Sequence, residues 1–318
     1  MKRAILLLIT LAALLSGVVS CRPNKNAAAQ NGKINITVTN FPPYDFVRQI
    51  AGDRVNLNML LPPGSESHSF EPSPRDIITI QNSDIFIYVG GGSDKWIDRI
   101  LQSMNTGSMK ILAMIDMVEA VDEEIVEGME EDGDDTPPNG GAAAYDEHVW
   151  TSPKNAILIV QAITETLCET DAANAVYYRQ NAAAYIEELR LLDIAFAEVV
   201  SNSKRSVIVF ADRFPFRYLA DAYGLTYYAA FPGCSTDTEP SAATVKFLID
   251  KIRAEQIPVV FHIELSNERM ANTISGATGA KKLLLHSGHN ITKRDFDSGL
   301  GYIKIMENNI ENLREALN

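Results

Sequence analysis

The sequence contains little cysteine, histidine and tryptophan, and it has no excess of basic residues. Its 318 residues include three cysteines, five histidines and two tryptophans. The cysteines are far apart, so they form no CxxC metal motif. Because 28 Lys and Arg face 41 Asp and Glu, the composition excludes a basic nucleic-acid-binding surface. The 46% hydrophobic and 22% charged residues predict a globular protein with one large core or two ordinary ones.

Long apolar runs are confined to the start of the chain. Residues 1–20 place Lys2 and Arg3 before an apolar stretch, which is typical of a secretory signal peptide. The stretch ends at Cys21 in VVSC, which resembles a bacterial lipobox whose cysteine becomes lipid-modified. The alternative is an ordinary signal peptide with an incidental cysteine. The small and polar residues of 21–32 suit a flexible tether, which favours an extracytoplasmic protein that is lipid-anchored to the cell membrane, at the cell surface or the periplasmic face.

Two cysteines, Cys168 and Cys234, remain once Cys21 is assigned to the anchor. An exported protein can form a disulfide, but pairing depends on a geometry that the sequence does not reveal. Two buried free thiols are an equally good interpretation, because cysteine packs well in protein interiors. The sequence leaves both possibilities open.

The negative charge of the chain is concentrated in one segment. Residues 122–147 contain eleven Asp and Glu and no Lys or Arg, so the rest of the chain carries only about −2 of the net charge of −13. The Gly, Pro and Asp content predicts a mobile loop over residues 127–146. Such a loop is usually solvated surface. Because His148 follows it directly, weak recruitment of cations is a second hypothesis.

Short β-branched runs alternate with helical patterns on both sides of the acidic segment. Strands are predicted within residues 34–40, 55–61, 84–90, 109–114, 205–212, 225–231, 257–265 and 281–287. The βα order predicts an α/β protein with two lobes, each a mainly parallel four-stranded sheet flanked by helices. The expected domains are an N-terminal lobe over residues 33–173 and a C-terminal lobe over residues 203–318.

One long helix is predicted between the two lobes. Residues 174–202 are rich in Ala, Leu and Glu, and no Gly or Pro interrupts them. At 1.5 Å per residue, the helix is roughly 40 Å long. A backbone helix of this length resists hinging, so we expect the lobes to face each other across a fairly fixed cleft.

Several polar side chains follow the predicted strands or begin a helix, at the end of the sheets where α/β proteins bind ligands. These candidates are His68, His148, Asp212, Glu264, His286 and His289. For any single histidine, a packed or surface role is more common than metal binding. Their shared placement favours a metal site.

The motifs around these residues resemble a known family. The lipoprotein signal, LLPPGSESHSFEPSPRDI, DEHVWTSPKNA, FADRFPFRYLADAYGL and HIELSNERMANTISGATGAKKL are similar to those of the metal-binding lipoproteins of ABC transporters, the zinc and manganese solute-binding family. The resemblance covers about residue 33 to the end. It implies two α/β lobes joined by one long helix, with the metal in the inter-lobe cleft. It also implies that His68 and His148 are metal ligands.

The sequence departs from that family at the other two ligand positions. The family motif reads Phe-His-Asp-Ala-Phe, or has Glu in place of the histidine. Here the matching residues are 210–214, and Ala211 stands at the ligand position. Alanine cannot bind a metal. A family Asp after the last strand matches Gly288. We predict that His289 replaces the missing ligand and that Glu264 completes the shell or orients a histidine. His286 is the competitor of His289.

Two other residues have a less direct relation to this site. His262 shares a strand face with Glu264, but a buried strand histidine with a hydrogen-bond partner is the simpler interpretation. Asp212 is expected to cap the following helix, with direct metal binding as the alternative. The predicted metal ligands are therefore His68, His148, His289 and Glu264.

This ligand set favours zinc. Three imidazoles and one carboxylate suit tetrahedral Zn²⁺ better than Mn²⁺, which prefers oxygen ligands, although manganese stays possible. The predicted function is a monomeric binding protein that captures zinc and delivers it to the membrane subunits of an ABC permease. The alternatives are a manganese-binding relative and, more distantly, a secreted zinc hydrolase, although the sequence has no HExxH or GxSxG motif. Cell adhesion is a further role that the sequence leaves open.

Overall fold

Parallel strands followed by helices form the N-terminal half. The computed structural model describes residues 32–65, 70–92, 94–129, 145–235 and 239–318; the predicted signal peptide, most of the tether and Cys21 lie outside these ranges. The strands of the first sheet are β1 Asn35–Val38, β2 Asn56–Met59, β3 Ile85–Tyr88 and β4 Lys110–Ala113. They lie in the order β2-β1-β3-β4, and all the pairs are parallel. The four strands predicted before the acidic segment are confirmed.

The C-terminal half contains six strands, which are the other four predicted strands and two short strands that form an unpredicted ladder. The six are β5 Val207–Val209, β6 Arg213–Phe214, β7 Thr226–Tyr228, β8 Phe231–Pro232, β9 Val259–His262 and β10 Lys281–Leu284. β5 pairs with β7 and β9 with β10, each in parallel. One parallel bridge, Phe210 to Phe261, joins β5 to β9, so four strands lie side by side with few hydrogen bonds at the centre. The short β6 and β8 form the unpredicted ladder.

Helices cover these strands, and the longest helix lies between the two sets of strands in the sequence. The α-helices are α1 Phe41–Ala51, α2 Pro74–Gln81, α3 Lys95–Ser103, α4 Pro153–Thr170, α5 Ala175–Ser201, α6 Arg217–Tyr223, α7 Ala242–Ala254, α8 Arg269–Thr278, α9 Lys293–Asp297 and α10 Tyr302–Leu317. Short 3₁₀ turns follow β4 and His148. Within the described ranges, no helix combines the length and apolar composition needed to cross a bilayer.

The long helix α5 confirms the helix predicted over residues 174–202. Its buried side chains recur every three or four residues and include Tyr178, Ala182, Tyr185, Leu189, Leu192 and Phe196. This stripe packs against α4, α10 and α1, which belong to both halves of the chain. One core cluster also contains residues of both halves, such as Ile36 and Phe261. Residues Ile34–Asn318 group as one compact unit, so the lobe boundaries at residues 173 and 203 stay predictions.

Parts of both ends of the segment predicted as a mobile loop over residues 127–146 have defined contacts. Met129 lies in the main core, and Gly128 lies directly against the Phe247 ring. At the other end, Tyr145 forms an antiparallel bridge with Asp122. Residues 130–144 are outside the described ranges. At the first end, the burial of Met129 outweighs the local excess of charge.

Both cysteines predicted as a possible pair are free thiols. Cys168 is buried on α4 and donates a hydrogen bond to the backbone oxygen of Ala175, at 3.5 Å. The backbone N–H of Cys234 donates to Glu123 Oε1 at 2.7 Å. Burial, followed by the charges of nearby carboxylates, raises the pKa of the Cys234 thiol well above its usual range. The thiol is therefore protonated and a poor metal ligand.

Candidate metal centre

His148 is buried and held by Asp146. Only 1% of His148 is exposed, and its Nδ1 lies 3.0 Å from Asp146 Oδ1. The same carboxylate oxygen accepts the backbone N–H of His148 at 2.8 Å. A carboxylate accepts hydrogen bonds, so this contact favours the tautomer with the proton on Nδ1. In this tautomer Nε2 is the ring nitrogen that carries the lone pair.

Trp150 connects His148 to a distant loop. The 3₁₀ turn Val149–Thr151 buries Trp150 completely, and its indole N–H donates to the backbone oxygen of Ser287 at 2.8 Å. The Trp150 ring lies edge-on to His148, with centroids 5.6 Å apart, and to His289, at 5.0 Å. Tyr302 on α10 donates to the Trp150 backbone oxygen at 2.6 Å. Trp150 thus fixes the spacing between two segments that are far apart in sequence.

Glu264 organises the loop that carries His289. Its Oε2 accepts the backbone N–H of Ser287 at 2.7 Å, and its Oε1 accepts the backbone N–H of His289 at 3.2 Å. The hydroxyl of Ser287 donates to Oε1 as well. Gly288 between them has a φ of +73°, a conformation that side chains rarely adopt. The carboxylate and the glycine together define the turn.

His148 and His289 meet in one small cavity. Their ring centroids are 5.3 Å apart, with an angle of 82° between the planes. The cavity has a volume of about 30 Å³, and Glu264, Ser65 and Gly233 are among the residues that line it. A space of this size suits a single ion or water molecule rather than an organic substrate. Three of the four predicted ligands, His148, His289 and Glu264, are therefore among the residues that line this cavity.

The fourth predicted ligand, His68, lies outside the described residues. The described chain reaches the cavity at Ser65, three residues earlier. Asn290 fixes this segment, because its side-chain amide donates to the backbone oxygens of Pro62 at 2.9 Å and Ser65 at 2.7 Å. Among the residues that the structure describes, no three His, Cys, Asp or Glu are grouped closely enough to hold a metal ion. A further ligand must come from elsewhere in the chain or from solvent.

The two other candidate histidines, His286 and His262, have backbone hydrogen-bond partners. His286 Nδ1 accepts the backbone N–H of Gly288 at 3.0 Å, and the His286 backbone N–H donates to Asn309 at 2.8 Å. His262 Nδ1 lies 3.1 Å from the backbone oxygen of Ile263. Neither histidine lines the cavity.

The prediction that Asp212 caps the following helix is wrong. The helix α6 begins only at Arg217. The Asp212 carboxylate instead accepts the backbone N–H of Ile263 at 3.3 Å and ties the end of β5 to the end of β9. Ala211, at the missing ligand position, is buried in an apolar cluster with Val209 and Val260.

The surroundings of His148 are strongly acidic. Asp146 and Glu147 are 1% and 3% exposed, so these two members of the acidic segment are buried rather than solvated. Burial alone lowers the pKa of His148, but the Asp146 carboxylate, helped by Glu147 and Glu123, outweighs it and raises the pKa above its ordinary value. Negative charge concentrated here favours a cation in the cavity.

Sequence reasoning predicted that Glu264 orients a histidine, but it missed other contacts that position the site. Asp146 stands two residues before His148, and a carboxylate beside a histidine ligand was a usable signal. The contact between Trp150 and Ser287 spans 137 positions, and no local pattern predicts it. Gly233 was also missed, because its importance depends on the backbone of Phe214 lying close to it.

Gly233 leaves no space for a side chain, which gives a test of the packing. A Cβ atom at residue 233 lies 2.8 Å from the Phe214 backbone oxygen and 3.3 Å from His148 Cε1. We expect Gly233→Ala to lower the free energy of unfolding by about 1–3 kcal/mol, measured by urea denaturation. Gly276→Ala on α8 is the matched control, because no atom lies within 4 Å of its added Cβ. It should stabilise the protein by about 0.5–1 kcal/mol, and equal effects of the two variants would contradict this packing.

Comparison with known proteins agrees with the geometry. Residues 36–316 match the family described as zinc-uptake complex component A, periplasmic. The chain belongs to this family. The zinc-binding lipoprotein AdcA of Streptococcus pneumoniae is 36% identical over 318 residues, which are 99% of this chain and 61% of that protein. The high-affinity zinc uptake system protein ZnuA of Bacillus subtilis is 31% identical over 294 residues, which are 92% of this chain and 90% of that protein.

The fold is shared with solved members of the family. The crystal structure of the Zn(II)-bound ZnuA-like domain of Streptococcus pneumoniae AdcA matches with a TM-score of 0.74 and 32% identity, over 90% of this chain and 99% of that one. The parallel sheets and the long helix predicted from the sequence agree with this fold. The chain spans 61% of the length of the AdcA protein that it matches.

Proposed function

We propose that this protein captures zinc outside the cytoplasm and delivers it to the membrane subunits of an ABC permease. The pair of adjacent imidazoles, buried His148 and half-buried His289, carries this proposal. Two imidazoles bound to one tetrahedral zinc ion place their ring centroids about 5 Å apart, and these centroids are 5.3 Å apart. Relatives named for zinc binding and zinc uptake support the same cargo.

The proposed ligands are His68, His148, His289 and Glu264. The Asp146 contact directs Nε2 of His148 toward the cargo, and the loop held by Glu264 presents His289. Glu264 already accepts three hydrogen bonds, which supports an orienting role beside any direct bond to the metal. His68 is the proposed third imidazole, because the segment that leads to it is fixed at the cavity by Asn290.

This ligand set supports zinc over manganese. Imidazole nitrogen suits zinc, whereas manganese prefers oxygen ligands, and the carboxylate of Glu264 is engaged by the loop. The protein is proposed to be a binding component rather than a hydrolase, because its relatives are named for zinc binding and zinc uptake. Lipid anchoring through Cys21 and a monomeric state complete the proposal.

Metal uptake by dialysed protein tests this function. We expect one equivalent of zinc to bind reversibly in isothermal titration calorimetry, and to displace manganese when both ions are present. The loaded protein should hydrolyse no ester, peptide or phosphate substrate. Absence of zinc binding by folded protein would refute the proposal, and zinc-dependent hydrolysis would favour the enzyme alternative.

Zinc affinity should depend on pH through His148. Only the neutral imidazole binds zinc, and the neighbouring carboxylates raise the pKa of His148. Protons therefore begin to compete above the ordinary histidine pKa of about 6.5, and the affinity should fall about tenfold per pH unit below the raised pKa. Chelator competition at a series of pH values measures this. An affinity that stays constant from about pH 8 to about pH 5 would contradict ligation by histidine.

Asp146→Asn offers a matched test of the same contact. An amide side chain removes the negative charge, so the pKa of His148 falls and proton competition begins at a lower pH. The variant also orients the imidazole less well, which should weaken zinc binding at high pH by about 10- to 100-fold. An unchanged pH profile would show that Asp146 does not control His148.

A further inference from the structure

A positively charged side chain lines the cavity that is proposed to hold zinc. Arg213 is half-buried, and it borders the same small space as His148, His289 and Glu264. Among the described residues that line this cavity, Arg213 is the one with a permanent positive charge, because a guanidinium does not lose its proton in proteins. A cation site with such a residue in its wall combines two charges of the same sign.

The short strand β6 directs Arg213 to the cavity. The neighbouring Phe214 is buried in the main core, where its ring stacks on Tyr227 with the centroids 3.6 Å apart. Successive side chains of an extended chain point to opposite sides, so the residues before and after Phe214 share the other side. Both of them, Arg213 and Pro215, line the cavity. The packing of Phe214 therefore determines the position of the charge.

A hydrogen bond holds the guanidinium in the loop that contacts His148. Arg213 Nη1 donates to the backbone oxygen of Ser235 at 3.1 Å. Ser235 follows β8 in the same loop as Gly233, which lines the cavity. This loop lies directly against the imidazole, since an added Cβ at Gly233 would be 3.3 Å from His148 Cε1. An ion bound by His148 therefore lies close to the charge of Arg213.

We propose that Arg213 limits the zinc affinity of the site and promotes release of the ion. Like charges repel, and salt screens this repulsion less in a partly buried site than at the surface. The carboxylates of Asp146, Glu147 and Glu264 attract the same ion, so the cavity combines attraction with one opposing charge. Faster release benefits a protein that delivers its cargo, and this inference therefore rests on the proposed function.

Removing the charge tests this role. We expect Arg213→Gln to tighten zinc binding by at least about tenfold, because a like charge near the ion is lost. Arg213→Lys keeps the charge without the planar guanidinium, so its affinity should stay within about threefold of the wild type. Chelator competition measures both variants at neutral pH. Equal or weaker binding by Arg213→Gln, or an equal gain in Arg213→Lys, would overturn the proposal.

A control variant and a salt series separate the effect of charge from a change in packing. Arg314→Gln removes the same charge from an exposed side chain of α10 that pairs with Glu311, and it should change zinc affinity by less than about twofold. The gain in Arg213→Gln should shrink between about 0.01 M and about 1 M ionic strength, because salt screens charges. A gain that is independent of salt, or one shared by Arg314→Gln, would contradict a local charge effect.

Stopped-flow measurements test the effect on release. Zinc-loaded protein is mixed with excess chelator, and Trp150 fluorescence follows the loss of the ion because this ring contacts both proposed histidine ligands. Arg213→Gln should release zinc several-fold more slowly than the wild type, and an equal rate would overturn the release role. Absence of zinc binding by the wild type would refute the proposed function itself. Zinc binding by the wild type without a gain in Arg213→Gln would refute this inference alone.

Discussion

Replacing His148 and His289 together by alanine is expected to lower zinc affinity by about 10,000-fold. Zinc sites with four protein ligands bind with about 10–16 kcal/mol, which is about 3 kcal/mol for each ligand. Since 1.4 kcal/mol corresponds to a tenfold change, each lost imidazole should weaken binding by about two powers of ten. Both residues line the same cavity, so each single variant and the double variant should lose zinc affinity. Chelator competition measures the zinc affinity of all three variants.

The other two described histidines are the controls for this experiment. His262 and His286 do not line the cavity, and each ring nitrogen Nδ1 has a backbone partner. We expect His262→Ala to change zinc affinity by less than about threefold, or well under 1.4 kcal/mol. His286→Ala removes the acceptor of the Gly288 N–H in the loop that carries His289, so we expect an intermediate loss of affinity, smaller than that of His289→Ala. Circular dichroism of the metal-free variants shows whether the fold persists. If His286→Ala lost as much affinity as His289→Ala, His286 would be the ligand.

Removing Glu264 is expected to have the second largest effect. Glu264→Ala leaves the backbone N–H groups of Ser287 and His289 without their acceptor. Each unsatisfied buried donor costs about 1–3 kcal/mol, so the free energy of unfolding should fall by about 3 kcal/mol. Zinc affinity should fall by about 10- to 100-fold, because the loop no longer presents His289 in a fixed position.

Two variants distinguish an orienting role from a direct bond to zinc. Glu264→Gln keeps one acceptor oxygen, so it should retain part of the free energy of unfolding and part of the zinc affinity of the wild type. Glu268→Ala removes an exposed carboxylate that pairs with Lys282, and it should cost less than about 1 kcal/mol. Loss of zinc binding in Glu264→Gln with full stability would indicate that the carboxylate binds the metal directly. Unchanged affinity in Glu264→Ala would contradict both roles.

The regular elements could be predicted from the sequence because they depend on local patterns. All eight predicted strands and the helix α5 are present, and the buried positions of α5 follow the helical period from Tyr178 to Phe196. The two-residue strands β6 and β8 escaped prediction because they are too short to produce a pattern. The packed ends of the acidic segment escaped because Met129 is buried by distant residues.

The candidate ligands could be predicted, but most of the contacts that support them could not. The resemblance to a family and the position after each strand predicted His148, His289 and Glu264, which line one cavity, and Glu264 was also predicted to orient a histidine. The contact of Trp150 with the loop of His289 comes from a position far away in the chain. Asp212 is not a helix cap, because its carboxylate has a partner just after β9. Long-range contacts of this kind leave no local periodicity.

A crystal structure of the zinc-loaded protein, with the ion located by its anomalous scattering, tests the central claim most directly. We predict one zinc ion between the two imidazoles, with Nε2 of His148 and a ring nitrogen of His289 each about 2.0–2.1 Å from it. We expect His68 to be the third nitrogen ligand. An ion bound elsewhere, or a zinc ion that contacts neither His148 nor His289, would contradict the account.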